Sequence, residues 1–293
     1  MLDVILNMLF TGTLNGAVLT LVALGYSLIY GVGGIMNLSH GAYFMLTGYI
    51  LLWMLGLPIS LNPLLIVVFA LTIVTIIGAL TYILLVKPLQ DSPINVILIT
   101  FAVAFLVEQL VTFISGNDSK TISELILIDG YTEFLGVSMQ YHYILVIVLS
   151  LMIVLFFGIF ISKSKIGKSI RAVSQDREAA TLMGINANRI LLYTFIIATF
   201  LSATAAFLYL PGDALDGPGM GWRYLTNSFA VVILGGLGSL GGSVLGAFII
   251  GYSSSFTLYF IPNGAAWTHL IPLIIIVVML IIRPQGLFGK GEH

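Results

Sequence analysis

The sequence predicts an all-α, polytopic membrane protein, and three observations carry that prediction. Of its 293 residues, 59% are hydrophobic and only 8% are charged, where a soluble domain has about 25% charged. The mean hydropathy is +1.12. Apolar runs of about 20 residues, the length a helix needs to cross a bilayer, recur along the whole chain. So much apolar surface leaves the bilayer as the solvent, and one integrated transmembrane domain, 1–293, accounts for it.

Eight runs meet or approach spanning length: 4–30, 38–56, 63–86, 93–114, 142–161, 190–210, 239–261 and 266–283. The first opens on "MLDVILNMLF", which lacks the positive flank of a cleaved signal segment and is expected to be a retained helix. A ninth run, 224–236, would rise only about 20 Å as a helix, short of the roughly 30 Å hydrocarbon core. It leads into "GGLGSLGGSVLGAF". Glycine this dense weakens a helix and lets backbones approach closely, so a broken or re-entrant helix is expected here, facing protein or a water-filled cavity. The stretch "GVGGIMNLSHGAYFMLTGYI" (31–50) roughly echoes "GGLGSLGGSVLGAFIIGY" (235–252). The echo fits either a two-half pseudo-repeat with broken helices at matching places or shared membrane composition.

Orientation follows from lysine and arginine, which concentrate on the cytoplasmic side. The polar loop 163–189 holds six of the eleven: Lys163, Lys165, Lys168, Arg171, Arg177 and Arg189. With that loop inside, Lys87 falls inside too, the N-terminus with Asp3 falls outside, and so do Lys120 and Arg223; Arg283 and Lys290 return inside only if 224–236 dips in from the outside and connects to the seventh span. The C-terminus is then cytoplasmic. The longest external loop, 115–141, carries Asp118, Glu124, Asp129 and Glu133 against Lys120 alone. Its "LILIDGYTEF" portion suits a short surface helix or strand. It is either a solvated connector or a docking face for an external partner.

Catalytic motifs are absent. With no cysteine there is no disulfide and no thiolate metal site. His40, His142, His269 and His293 are scattered, with no zinc spacing, no GxSxG elbow and no P-loop. No metal, cofactor or nucleic acid is expected on this chain, and no enzymatic step of its own. A translocation path is placed at the breaks, on Asn37, Ser39 and His40 and on Gly235, Gly236, Gly238 and Ser239, with Ser243 nearby. Ordinary interhelical hydrogen bonding is the competing account of the serines. Glu108, in "FLVEQLV", is the clearest ionisable group within a span. It is either functional or a packing residue near a helix end. The GxxxG pairs Gly12/Gly16 and Gly242/Gly246 read as packing faces.

Within the basic loop stands "EAATLMGI". It resembles the EAA-xxx-G signature of ABC importer permeases, with Glu178, Ala179, Ala180 and Gly184 on the matching positions. In that family the loop forms a coupling helix that docks on an ATPase. The two alanines would give a small face and the glycine a helix end. Three further blocks narrow the resemblance to the branched-chain amino acid permeases of the LivH type: "GYSLIYGVGGIMNLSHGAYFMLTGY", "AVVILGGLGSLGGSVLGAFIIG" and "RPQGLFG". The chain lacks the Leu-Pro that often closes the broader EAA motif. The resemblance implies a bacterial or archaeal inner-membrane importer for leucine, isoleucine and valine. Its other parts would be a second related permease, two cytoplasmic ATPases and an external binding protein, all set in membrane lipid. The alternative is a secondary transporter or channel for a small polar solute such as urea or an amide, with Glu108 as its ion-coupling group.

Overall fold

The computed structural model describes residues 1–58, 61–283 and 285–288. Its helices are α1 (Leu2–Gly33), α2 (His40–Leu55), α3 (Pro63–Leu80), α4 (Pro93–Ser115), α5 (Tyr141–Lys163), α6 (Lys165–Gln175), α7 (Arg177–Leu182), α8 (Ala187–Tyr209), α9 (Met220–Gly235), α10 (Leu240–Phe260), α11 (Gly264–Trp267) and α12 (Ile271–Ile282). Starts follow local chemistry. Pro63 and Pro93 occupy first turns, where a missing N–H costs nothing. Asn62 caps α3 by accepting from the Leu64 N–H at 2.9 Å.

Among the described residues, six helices are long and apolar enough to cross a membrane: α1, α3 with its continuation to Leu89, α4, α5, α8 with its continuation to Gly212, and α10. The other two of the eight expected runs are the shorter apolar helices α2 and α12, and α9 is only 16 residues long. Two local causes explain the shortening. Gly34 ends α1 in the left-handed region (φ 62), and residues 34–39 run non-helically into α2. The apolar run 266–283 is interrupted by the short α11 turn before Pro272 starts α12.

α1 is the centre of the molecule. Its apolar window is 83% buried against 22% for α4 and α5, whose Phe105, Leu106, Met152 and Phe156 face outward. Each such side chain would lose about 1.5–3 kcal/mol in water, so these faces belong against lipid. α1 packs antiparallel on α10 at its closest approach. A Cβ on Gly251 would lie 2.6 Å from the Gly16 nitrogen and 2.8 Å from the Gly12 carbonyl oxygen. The second GxxxG pair also packs, Gly246 against the Val231 carbonyl of α9.

The two ends of the bundle differ. At one end β1 (Tyr131–Phe134) and β2 (Val137–Gln140) form an antiparallel hairpin, Tyr131 opposite Gln140. Leu135 and Gly136 turn it with positive φ, 51° and 82°. The expected surface element in the long loop is this hairpin, preceded by a 3-10 turn at Ser123–Leu125. The N-terminus of α1 lies beside it, Asp3 next to Gly136. At the other end sit α6 and α7. There the Tyr82 hydroxyl donates to the Asn188 carbonyl at 2.9 Å, and the Leu287 N–H to the Leu234 carbonyl at 2.8 Å. Lys87, the six basic residues of the loop and Arg283 share this end. Lys290 lies outside the described residues.

Candidate functional site

The buried break has three members brought together as expected. Asn37, Ser39 and His40 are each 0% exposed. Asn37 Oδ1 accepts from the Ser39 N–H at 3.1 Å and the Ser39 hydroxyl at 2.6 Å, and that hydroxyl contacts the Tyr43 hydroxyl at 2.9 Å. His40 Nε2 donates to the Val22 carbonyl at 2.9 Å. Val22 is eleven residues from the end of α1, about 16 Å along its axis, so α2 begins deep in the interior. The Leu38 N–H is satisfied by Thr100 Oγ1 at 3.1 Å. Thr100 and Tyr43 complete this network; Tyr43 sits in the same quoted block as His40, whereas nothing near Thr100 in the sequence marked it.

α2 meets α9 head to head. A Cβ on Gly41 would overlap the Gly221 carbonyl and lie 2.8 Å from the Leu225 nitrogen. Both helices are 16 residues long and both start inside the bundle. The echo in the sequence aligns α2 with α10, whereas the helix matching α2 in length and in interior start is α9. Beside this junction the Trp222 indole N–H donates to Glu108 Oε2. The Glu108 pocket, closed by Leu38, Ala42, Met45 and Pro218, has a volume of about 10 Å³.

The glycine-rich members of the expected path lie elsewhere, at the α6–α7 end. Gly235 is packed backbone to backbone on Gly242, Gly238 on Gly31, and Gly236 on Gly286. Ser239 is the N-cap of α10, its hydroxyl accepting from the Gly242 N–H at 3.1 Å. The path residues therefore form two clusters at different depths.

The basic loop is two short helices in sequence. Ser164 caps α6 through the Gly167 N–H at 2.9 Å, and Asp176 caps α7 through the Ala179 N–H at 2.9 Å. Gly184 (φ 84) closes α7, with the Ile185 N–H bonded to the Ala180 carbonyl and the Gly184 N–H to the Thr181 carbonyl, both at 3.0 Å. Ile170, Val173 and Ala180 face inward, while Glu178 and Ala179 face out. The two alanines therefore do not share one outer face. Leu182 and Met183, 88% and 83% exposed, stand at the outer tip. Among mostly apolar letters these two carried no signal. Arg177 Nη2 anchors the loop, reaching Asn188 Oδ1 at 2.9 Å and Gln90 Oε1 at 3.4 Å.

Residues 8–280 match the family described as "Branched-chain amino acid transport system / permease component". The chain belongs to this family. BraD of Pseudomonas aeruginosa, a high-affinity branched-chain amino acid transport system permease protein, is 29% identical over 98% of this chain and 96% of its own. LivH of Escherichia coli K12, of the same description, is 25% identical over the same shares. Among solved structures, PsaBC from Streptococcus pneumoniae in complex with Fab superposes with a TM-score of 0.52. It covers 96% of this chain and 94% of its own at 16% identity, a likeness of fold.

Proposed function

We propose that this permease-family chain is the membrane subunit of an ATP-binding-cassette importer, forming a path for branched-chain amino acids. The observation that carries the reading is α7, capped at both ends, braced to the bundle and presenting Glu178, Leu182 and Met183 outward. An exposed apolar tip on a polar loop is a docking knob, and the partner it suits is an ATPase groove. Two ATPases, a second related permease and an external binding protein at the hairpin end complete the assembly. The loop end is cytoplasmic, by its charge, and the bundle sits in a bacterial or archaeal inner membrane.

A mechanical route from the knob to the path runs along α8. Asn186 caps α8 through the Arg189 N–H at 3.0 Å, tying it to the loop. Midway along, the Ser202 hydroxyl donates to the His40 carbonyl at 3.4 Å, and Ala198 abuts Gly25. Movement of α7 therefore reaches the start of α2. Ion coupling through Glu108 is disfavoured by its pocket, which is no larger than the space for about one water.

The test is gentle purification of the chain from its membrane. Two ATPases and a second permease are expected to accompany it, and Glu178→Lys to release the ATPases. Retention of the ATPases by that variant would remove the docking role. Cysteines placed at Ser119 and Ser174 are expected to label from opposite faces of the membrane, and labelling from one face would overturn the topology.

A further inference from the structure

A second cavity, of about 460 Å³, lies in the hairpin half of the bundle, between α1, α5, α8, α9 and α10. None of the residues that the sequence placed on a translocation path borders it. Asp213, Arg223, Asn227 and His269 line it, with Tyr143, Tyr209 and Tyr224. Leu14, Val18 and Leu258 add aliphatic surface. Its size is that of a small-molecule site.

The cavity gathers charged groups at the hairpin end of the bundle. Among the described residues the one ion pair is Arg223 Nη2 with Asp216 Oδ2, at 3.0 Å. A guanidinium carries five N–H donors, so that contact leaves most of the fork unused. Asp213 enters no ion pair among the described residues; its Oδ1 accepts the Ala214 N–H at 2.9 Å, and the Tyr209 hydroxyl lies against its carboxylate. A carboxylate and a cation thus border one cavity without pairing with each other. Ser255 adds a buried hydroxyl, 1% exposed and without a partner.

We propose that this cavity binds an α-amino acid as its zwitterion, with an aliphatic side chain. Asp213 receives the ammonium group, Arg223 the carboxylate, and the leucine–valine surface the side chain. Ser255 supplies a further hydrogen bond. A ligand with both charges completes both residues at once. An amino-acid amide keeps the ammonium without the carboxylate, and a simple carboxylate the reverse, so each meets only one of the two residues, which is the stronger source of discrimination. This rests on the permease reading and places a substrate station within one subunit.

The chain has no cysteine, so a single one reports on the site. Asn227→Cys, and separately Ser254→Cys, would be labelled with a thiol reagent in the whole transporter, with ATPase co-purification recorded in parallel. L-Leucine is expected to slow labelling, while L-leucinamide and 4-methylpentanoate do not. Adding Asp213→Asn or Arg223→Gln is expected to raise the leucine concentration needed about tenfold or more. Equal protection by leucinamide, or undiminished protection in both neutralised variants, would overturn the zwitterion site. Loss of ATPase co-purification in the parent would instead strike the permease reading.

Discussion

Aspartate at Leu182 and Met183 together is expected to release the ATPases of the proposed importer and to leave the bundle intact. Both side chains stand free of their own chain, so their replacement is expected to change stability by no more than about 0.5 kcal/mol. The loss falls on the partner side. Two anchors removed from the centre of a docking groove, each worth about 2 kcal/mol, weaken the complex roughly a thousandfold, before the cost of burying charge. Pull-down of the ATPases and thermal unfolding of the detergent-solubilised chain measure the two halves of the expectation. Ala180→Asp is the contrast. That residue is 5% exposed against the bundle, so it is expected to lower the melting temperature itself. If the double aspartate variant retained its ATPases at wild-type strength, α7 would be a connector rather than a coupling element.

Gly41→Val is the second large effect, and the contrast with Gly221 makes it specific. The two glycines face each other, but not symmetrically. At Gly41 a new Cβ overlaps the Gly221 carbonyl and approaches the Leu225 nitrogen to 2.8 Å. Both are backbone atoms that cannot swing away. At Gly221 the nearest atom would be the Gly41 oxygen at 3.3 Å, with the Ala42 Cα at 3.4 Å. A shift of a few tenths of an ångström accommodates that. Gly221→Ala is therefore expected to transport amino acids within a few-fold of the parent. Gly41→Val is expected to force α2 and α9 apart at a cost of about 3 kcal/mol or more, with uptake lost. Size-exclusion profiles and uptake in vesicles would compare the two. Equal tolerance at both positions would mean that the helices do not meet as described.

The spans were readable because prolines and long apolar runs mark them. Pro63 and Pro93 open α3 and α4 where the sequence places them. The loop helices were readable because polar letters are rare enough to stand out. The number of full spans was less so. Residues 34–39 leave the helix at one left-handed glycine, a break that Gly34, Asn37 and Ser39 marked in the sequence, though not how far it shortens α2. The interior network was half visible: Asn37, Ser39 and His40 share a segment, whereas Thr100 arrives from a helix sixty residues away. Leu182 and Met183 look like membrane letters until α7 lifts them off the bundle. Asp213 and Arg223 form no motif, and only folding places them on one cavity.

The close approach of Gly12, Gly16 and Gly251 also bears on how the chain is made. These partners are 235 or more residues apart, since α1 emerges first and α10 almost last. At about 5–20 residues per second, α1 waits roughly ten to fifty seconds for its neighbour. Throughout that interval its glycine notch, with Thr13 and Thr20 beside it, has only lipid to lie against. The Thr13 hydroxyl that finally meets Tyr252 at 2.8 Å and the Thr20 hydroxyl turned onto the Gly16 carbonyl at 2.7 Å keep those polar groups satisfied locally or late. A chain interrupted before Gly251 would leave that notch of the central helix without the partner it is shaped for.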